Sequence, residues 1–189
     1  MSKELFAFGR HDAQGVWRPH DFGDRYFVET VQGVRRLVVG PRRSCLDLAL
    51  LLADEMPPSE WGFLYLLVVT RSDQVPEGRY ETCFADLETL KSFTADYADL
   101  LTNDGRHHYW LNCYAGSSAI ICDRHNRVFA YGDVDTLERK VISLGMREEA
   151  FQIDFEHAHH YHEEYDKQFG KLMTACGWRY SPLKPGDED

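Results

Sequence analysis

No stretch of this 189-residue chain is apolar for long enough to cross a bilayer as a helix. The longest run, WGFLYLLVV from Trp61 to Val69, falls far short of the roughly 20 residues required. The opening MSKELFAFGRH lacks the basic region, apolar run and small-residue cleavage site of an export signal, so a cytoplasmic protein with no membrane partner is expected. Cysteine is sparse and scattered: Cys45, Cys83, Cys113, Cys122 and Cys176 form no C-x-x-C pair, which argues against a zinc ribbon, a dithiol redox motif or a disulfide framework. Basic charge is short as well, with 21 Lys and Arg against 31 Asp and Glu, a net charge of −10. Sequence-independent binding to nucleic acid needs a basic footprint, so nucleic acid is not an expected partner. A Gly-rich phosphate loop, a G-x-S-x-G nucleophile turn and a dinucleotide fingerprint are all missing.

What is present is the composition of a packed protein: 43% hydrophobic, 13% aromatic and 28% charged residues. The length suits one globular domain over residues 1–180, followed by SPLKPGDED, 181–189, as a flexible acidic tail. Charge is unevenly spread. Residues 1–43 hold eight Lys or Arg against five Asp or Glu, so the acidic excess belongs to the later elements.

RYFVETVQGVRRLVVGP predicts a β-hairpin about Gln32-Gly33, because two β-branched and aromatic runs flank a turn where Gly supplies positive φ. SCLDLALLLADEM predicts a helix with Ser44 as N-cap, stopped by Pro57 and Pro58. WGFLYLLVVT has no alternation and predicts a strand covered on both faces in the middle of the sheet. Leu87, Leu90, Phe93, Tyr97, Leu100 and Leu101 predict a second helix over Asp86–Leu101. HHYWLNCY, SSAIICD and RVFAYG predict an antiparallel meander, followed by a helix over Asp135–Leu144 that Gly145 closes. Phe155, Ala158, His162, Tyr165, Phe169, Leu172 and Cys176 predict one face of a final helix. The expected class is α+β, a single domain with a mixed or largely antiparallel sheet flanked by about four helices.

The densest chemistry lies in EHAHHYHEEYD, Glu156 to Asp166, where four histidines stand among carboxylates. A helical zinc site places two His four residues apart so that both imidazoles share a face. Here His157 is followed at that distance by Tyr161, His159 by Glu163, His160 by Glu164 and His162 by Asp166. The segment therefore predicts a solvated helix face with His162 near the core edge. His159, His162 and Glu163 remain as an alternative metal set, since His and Glu one turn apart can share an ion.

GPRRSC is a second candidate. A capped helix start beside Arg42 and Arg43 suits an anion, and the same free N–H groups would lower the thiol pKa of Cys45, making it the alternative nucleophile. The third candidate is an acidic stripe of Glu88, Asp96 and Asp99, continued by Asp104, which would face a partner. DRHN, Asp123 to Asn126, holds residue types that both turn chains and do chemistry. Asp104, His107 and His108 would join it only if the fold brought His125 or the last helix near.

In general form, small and acidic without a catalytic signature, the chain resembles bacterial immunity and inhibitor proteins, which occlude the active surface of a toxin. That resemblance implies a protein-binding module with no cofactor, whose Glu88, Asp96, Asp99 and Asp104 dock a basic partner protein. The competing expectation is a hydrolase using either the His-rich segment with a metal or Cys45 as nucleophile. Trp17 or Trp178 packing against a second copy is a further expectation, giving a homodimer.

Overall fold

The computed structural model describes residues 5–42, 44–71, 75–116 and 118–187. Strand β1 (Phe8–His11) and strand β2 (Trp17–Pro19) precede the expected hairpin, which forms as β3 (Arg25–Val31) and β4 (Val34–Gly40). Gln32 and Gly33 both take positive φ, 52° and 81°, the pair of left-handed residues that a two-residue turn requires between twisted strands. Helix α1 (Cys45–Ala53) starts where Ser44 Oγ accepts from the Leu46 and Asp47 N–H groups, and β5 (Trp61–Leu67) and β6 (Gly78–Phe84) follow.

The predicted second helix is two helices, α2 (Leu87–Asp96) and α3 (Ala98–Asn103). Thr94 Oγ1 bonds back to the Leu90 and Lys91 carbonyls, and the Tyr97 N–H takes the Thr94 carbonyl, which breaks the α ladder at Tyr97. The meander follows as β7 (His107–Cys113), β8 (Ser118–Cys122) and β9 (Val128–Tyr131). Helix α4 (Val134–Ser143) ends at Gly145, whose φ is 81°. The chain then runs through β10 (Arg147–Glu148), β11 (His157–His159), a 3-10 turn at Glu163–Tyr165, α5 (Asp166–Thr174) and β12 (Arg179–Ser181).

The protein is an α+β single domain built on a nine-stranded sheet of order β10-β3-β4-β9-β8-β7-β5-β6-β12. Every pairing is antiparallel except that of β10 with β3. Strand β5 is buried at all seven positions, as its unbroken apolar run predicts, but it lies third from one edge and β8 takes the middle. Leu37, Val39, Phe63, Tyr65, Leu111, Ile120 and Val128 turn to one face of the sheet, where they form a single core with the buried apolar residues of all five helices. The alternate residues, among them Arg36, Trp110 and Phe129, turn to the other face.

A second sheet, β11-β1-β2, stands apart from the large one. It replaces the predicted start of the final helix. The backbone of this segment is used elsewhere: β11 pairs with β1, the His160 N–H donates to Ala7, and the Gly105 N–H donates to the His160 carbonyl. A helix would forfeit those bonds, and the α-helix itself begins only at Asp166, after the 3-10 turn.

The acidic tail is also held through Asp187. Ser181 ends β12, which pairs with β6, and the Asp187 carboxylate meets the Arg79 guanidinium at 2.6 Å with both side chains about nine-tenths buried. Positions 188 and 189 lie outside the described residues. Trp178 donates its indole N–H to the Leu172 carbonyl at 3.0 Å and packs on Phe63 and Phe93, while the Trp17 ring lies tilted against His11. Both candidate dimer residues thus have ring contacts within the chain and are half-buried. Among the described residues, no helix is long and apolar enough to cross a membrane.

Candidate metal centre

His125 owes its position to Asp123. In the turn between β8 and β9, Asp123 Oδ1 accepts from the N–H groups of His125 (2.9 Å) and Arg127 (2.8 Å), while Oδ2 accepts from Arg127 Nε at 2.7 Å. Asn126, with φ of 59°, closes the turn in the left-handed region that Asn tolerates. The same Oδ2 lies 3.2 Å from His125 Nδ1, so the carboxylate also orients the imidazole.

His157 and His159 reach the same place from β11. Residues two apart on a strand point to one side, and the register of His159 opposite Phe8 and His157 opposite Arg10 sets both rings around the Phe8 ring. Ring centroids lie 4.8 Å apart for His125 and His159, 5.3 Å for His125 and His157, and 5.8 Å for His157 and His159. One nitrogen from each ring falls within 4.8 Å of the other two. Zinc ligated at about 2.0–2.1 Å brings tetrahedral nitrogens to about 3.3 Å of one another, so side-chain rotation of about an ångström closes the site.

The outer contacts of the rings suit coordination. The His157 Nδ1–H donates to the Phe155 carbonyl at 3.1 Å, which leaves Nε2 with its lone pair, and Asp123 plays the matching part for His125. His159 Nδ1 is buried and has no hydrogen-bond partner among the described residues. Burial, and then the charges of Arg124 and the neighbouring imidazoles, push the His159 pKa down to about 3, which keeps the ring in the neutral form that binds a metal. His20 lies close by, with its ring 4.6 Å from Phe155, and burial lowers its pKa too.

The predicted residues fare differently. Of the set His159, His162 and Glu163, only His159 joins the cluster, because the segment is extended and positions three or four apart no longer share a face. His162 is buried with Nε2 2.9 Å from the Phe6 carbonyl, and Glu163 is exposed and pairs with Arg71. Cys45 is buried, its Sγ donates to Asn126 Oδ1, and burial pushes the thiol pKa well up, which withdraws it as a nucleophile. Ser44 caps the N–H groups that an anion was expected to use, and exposed Arg42 faces Asp24; Arg43 lies outside the described residues.

On the acidic stripe, Asp96 and Asp99 are exposed and Glu88 pairs with Lys91. Asp104 does not belong with them. It is 2% exposed and accepts from Arg106, which also reaches Asp166.

Of the three cluster residues, the helical template recovered only His159. His157 and His159 stand at strand spacing, and His125 sits in the turn whose chemistry depended on what the fold brought to it. Compared with known proteins, the chain matches no family model, and no curated protein or solved structure is significantly similar to it.

Proposed function

We propose that this protein is a metal-dependent hydrolase whose ion, zinc in the first place, is held by His125, His157 and His159. The observation that carries the reading is the convergence of three imidazoles from two separate elements, two of them with an oriented Nδ1 and the third with a buried Nδ1 that has no hydrogen-bond partner among the described residues. Structural zinc sites close with four protein ligands, whereas three leave a position for water. An ion held by His125, His157 and His159 would supply a water with its pKa lowered to about 7. Such a water would be able to attack an electrophilic centre, with the leaving group taking the bonding electron pair and the water's proton.

The test is calorimetric titration of metal-free protein with zinc. One equivalent should bind, and His125→Ala and His159→Ala should each weaken binding at least 100-fold without loss of fold. Binding unchanged in both variants would overturn the reading.

A second reading keeps the protein-binding module, an inhibitor of a basic partner, because Asp96 and Asp99 are exposed carboxylates with no ion-pair partner among the described residues. Charge reversal at both should then weaken partner binding and flatten its salt dependence.

A further inference from the structure

We infer that the substrate carries an oxyanion on a planar apolar group and lies in the groove beside the metal centre, an inference that rests on the hydrolase reading above. A groove of about 580 Å³ runs along the large sheet, and His125 and His157, two of the three ligands, stand in its wall, which puts an ion on these rings at its edge. Pockets of this size hold small molecules.

The groove is polarised by two arginines on one ring. The guanidinium of Arg36 lies 4.5 Å from the Phe129 centroid and that of Arg127 lies 5.1 Å from it. Each has one carboxylate partner, Glu29 at 2.6 Å for Arg36 and Asp123 at 2.7 Å for Arg127, so these four charges cancel. A divalent ion on neutral imidazoles then leaves the groove net positive, and the complementary ligand is an anion. Arg127 uses Nε and Nη2 on Asp123; its Nη1 has no hydrogen-bond partner among the described residues, and about a quarter of the side chain is exposed. A guanidinium held in place with one donor edge open is suited to an oxyanion.

Beside Gln152, the remaining lining is aromatic and aliphatic: Phe27, Val38, Ala150, Phe151 and Ile153. The Phe27 and Phe151 rings meet edge to face at 5.3 Å, and Phe151, from the segment between β10 and β11, lines the groove along with Phe129. The Phe27–Phe151 pair together with a Phe129 ring that carries both guanidinium groups selects a planar group next to a negative charge. Aryl phosphoric esters have that chemistry, and so do aromatic substrates that carry a free carboxylate beside the bond to be cut.

The test uses zinc-loaded protein and four probes in calorimetric titrations: phenylphosphonate, methylphosphonate, benzoate and benzyl alcohol. Phenylphosphonate or benzoate should bind at least tenfold more tightly than methylphosphonate and benzyl alcohol, and the tighter of the two assigns the phosphoric or the carboxylic class. Arg127→Gln, which removes the open Nη1 edge offered to the anion, should cost at least tenfold for the anionic aromatic probes on zinc-loaded protein. Phe151→Ala should remove the advantage of phenylphosphonate over methylphosphonate, again with zinc retained. Stoichiometric zinc without any preference among the probes would overturn the substrate class and leave the metal centre standing. Failure to bind zinc would bring down the centre and this inference together.

Discussion

Asp123 is 4% exposed at its side chain and still ionised. Burial alone would raise its pKa, but the His125 hydrogen bond and the Arg127 charge more than offset that and hold it at about 2. An anion at that point polarises the His125 ring and makes its far nitrogen a better ligand. Asp123→Asn keeps the size and one acceptor while removing the charge, and zinc affinity should fall about 10–100-fold in a competition titration. Equal affinity would reduce Asp123 to a turn residue. The residue types of the site were visible in the chain, as DRHN and as EHAHHYHEEYD, but not their grouping. His157 and His159 are ligands on one side only if the segment is extended, and a helical template read the wrong neighbours. Cys45 failed for a related reason: its place at a helix start was legible, but not the burial that outweighs the helix dipole.

At the scale of elements, the centre depends on a pairing remote in sequence. β1 holds β11 in place, and Gly9 makes this possible, because a Cβ there would meet the Arg18 carbonyl oxygen and the Phe6 ring, both at 2.6 Å. Backbone cannot give way as a side-chain tip can. Gly9→Ala should therefore displace β1 and with it His157 and His159, destabilising the small sheet by about 1–3 kcal/mol. Zinc affinity should fall while the main thermal transition, which reports the large sheet, moves little. Unaltered zinc binding would show that β11 keeps its place without β1. Elements defined by their own residues were legible: the Gln32-Gly33 hairpin, the Ser44-capped helix, the meander and the Gly145 stop. Those defined by distant partners were not. β1 and β2 have short, polar, Gly- and Pro-containing sequences, and β10 and β12 contribute two and three residues at the sheet edges. Short edge strands leave little unpaired backbone to template association.

The whole molecule pays for its buried imidazoles at low pH. His107 and His108, 3% and 4% exposed, have pKa values lowered to about 3 and about 4, with burial the first cause in each. Below the ordinary value of 6.5 the unfolded chain takes up protons that the folded chain refuses. Their contribution is therefore complete above pH 6.5 and is lost as pH falls toward 4. At pH 5 the loss is about 2 kcal/mol for each histidine. Urea unfolding at pH 7 and pH 5 in the presence of a chelator should show this, with a smaller change in His107→Gln; a flat profile would contradict it. The overall class, α+β on a mostly antiparallel sheet, was legible because it follows from local patterns summed along the chain. The joining of one turn and one short strand at the Phe8 ring was not, since nothing local encodes it. Zinc K-edge X-ray absorption of the protein loaded with one equivalent tests that joining most directly. The account predicts three imidazole nitrogens and one oxygen at about 2.0 Å. A sulfur shell at about 2.3 Å, or an oxygen shell without imidazole scattering, would contradict it.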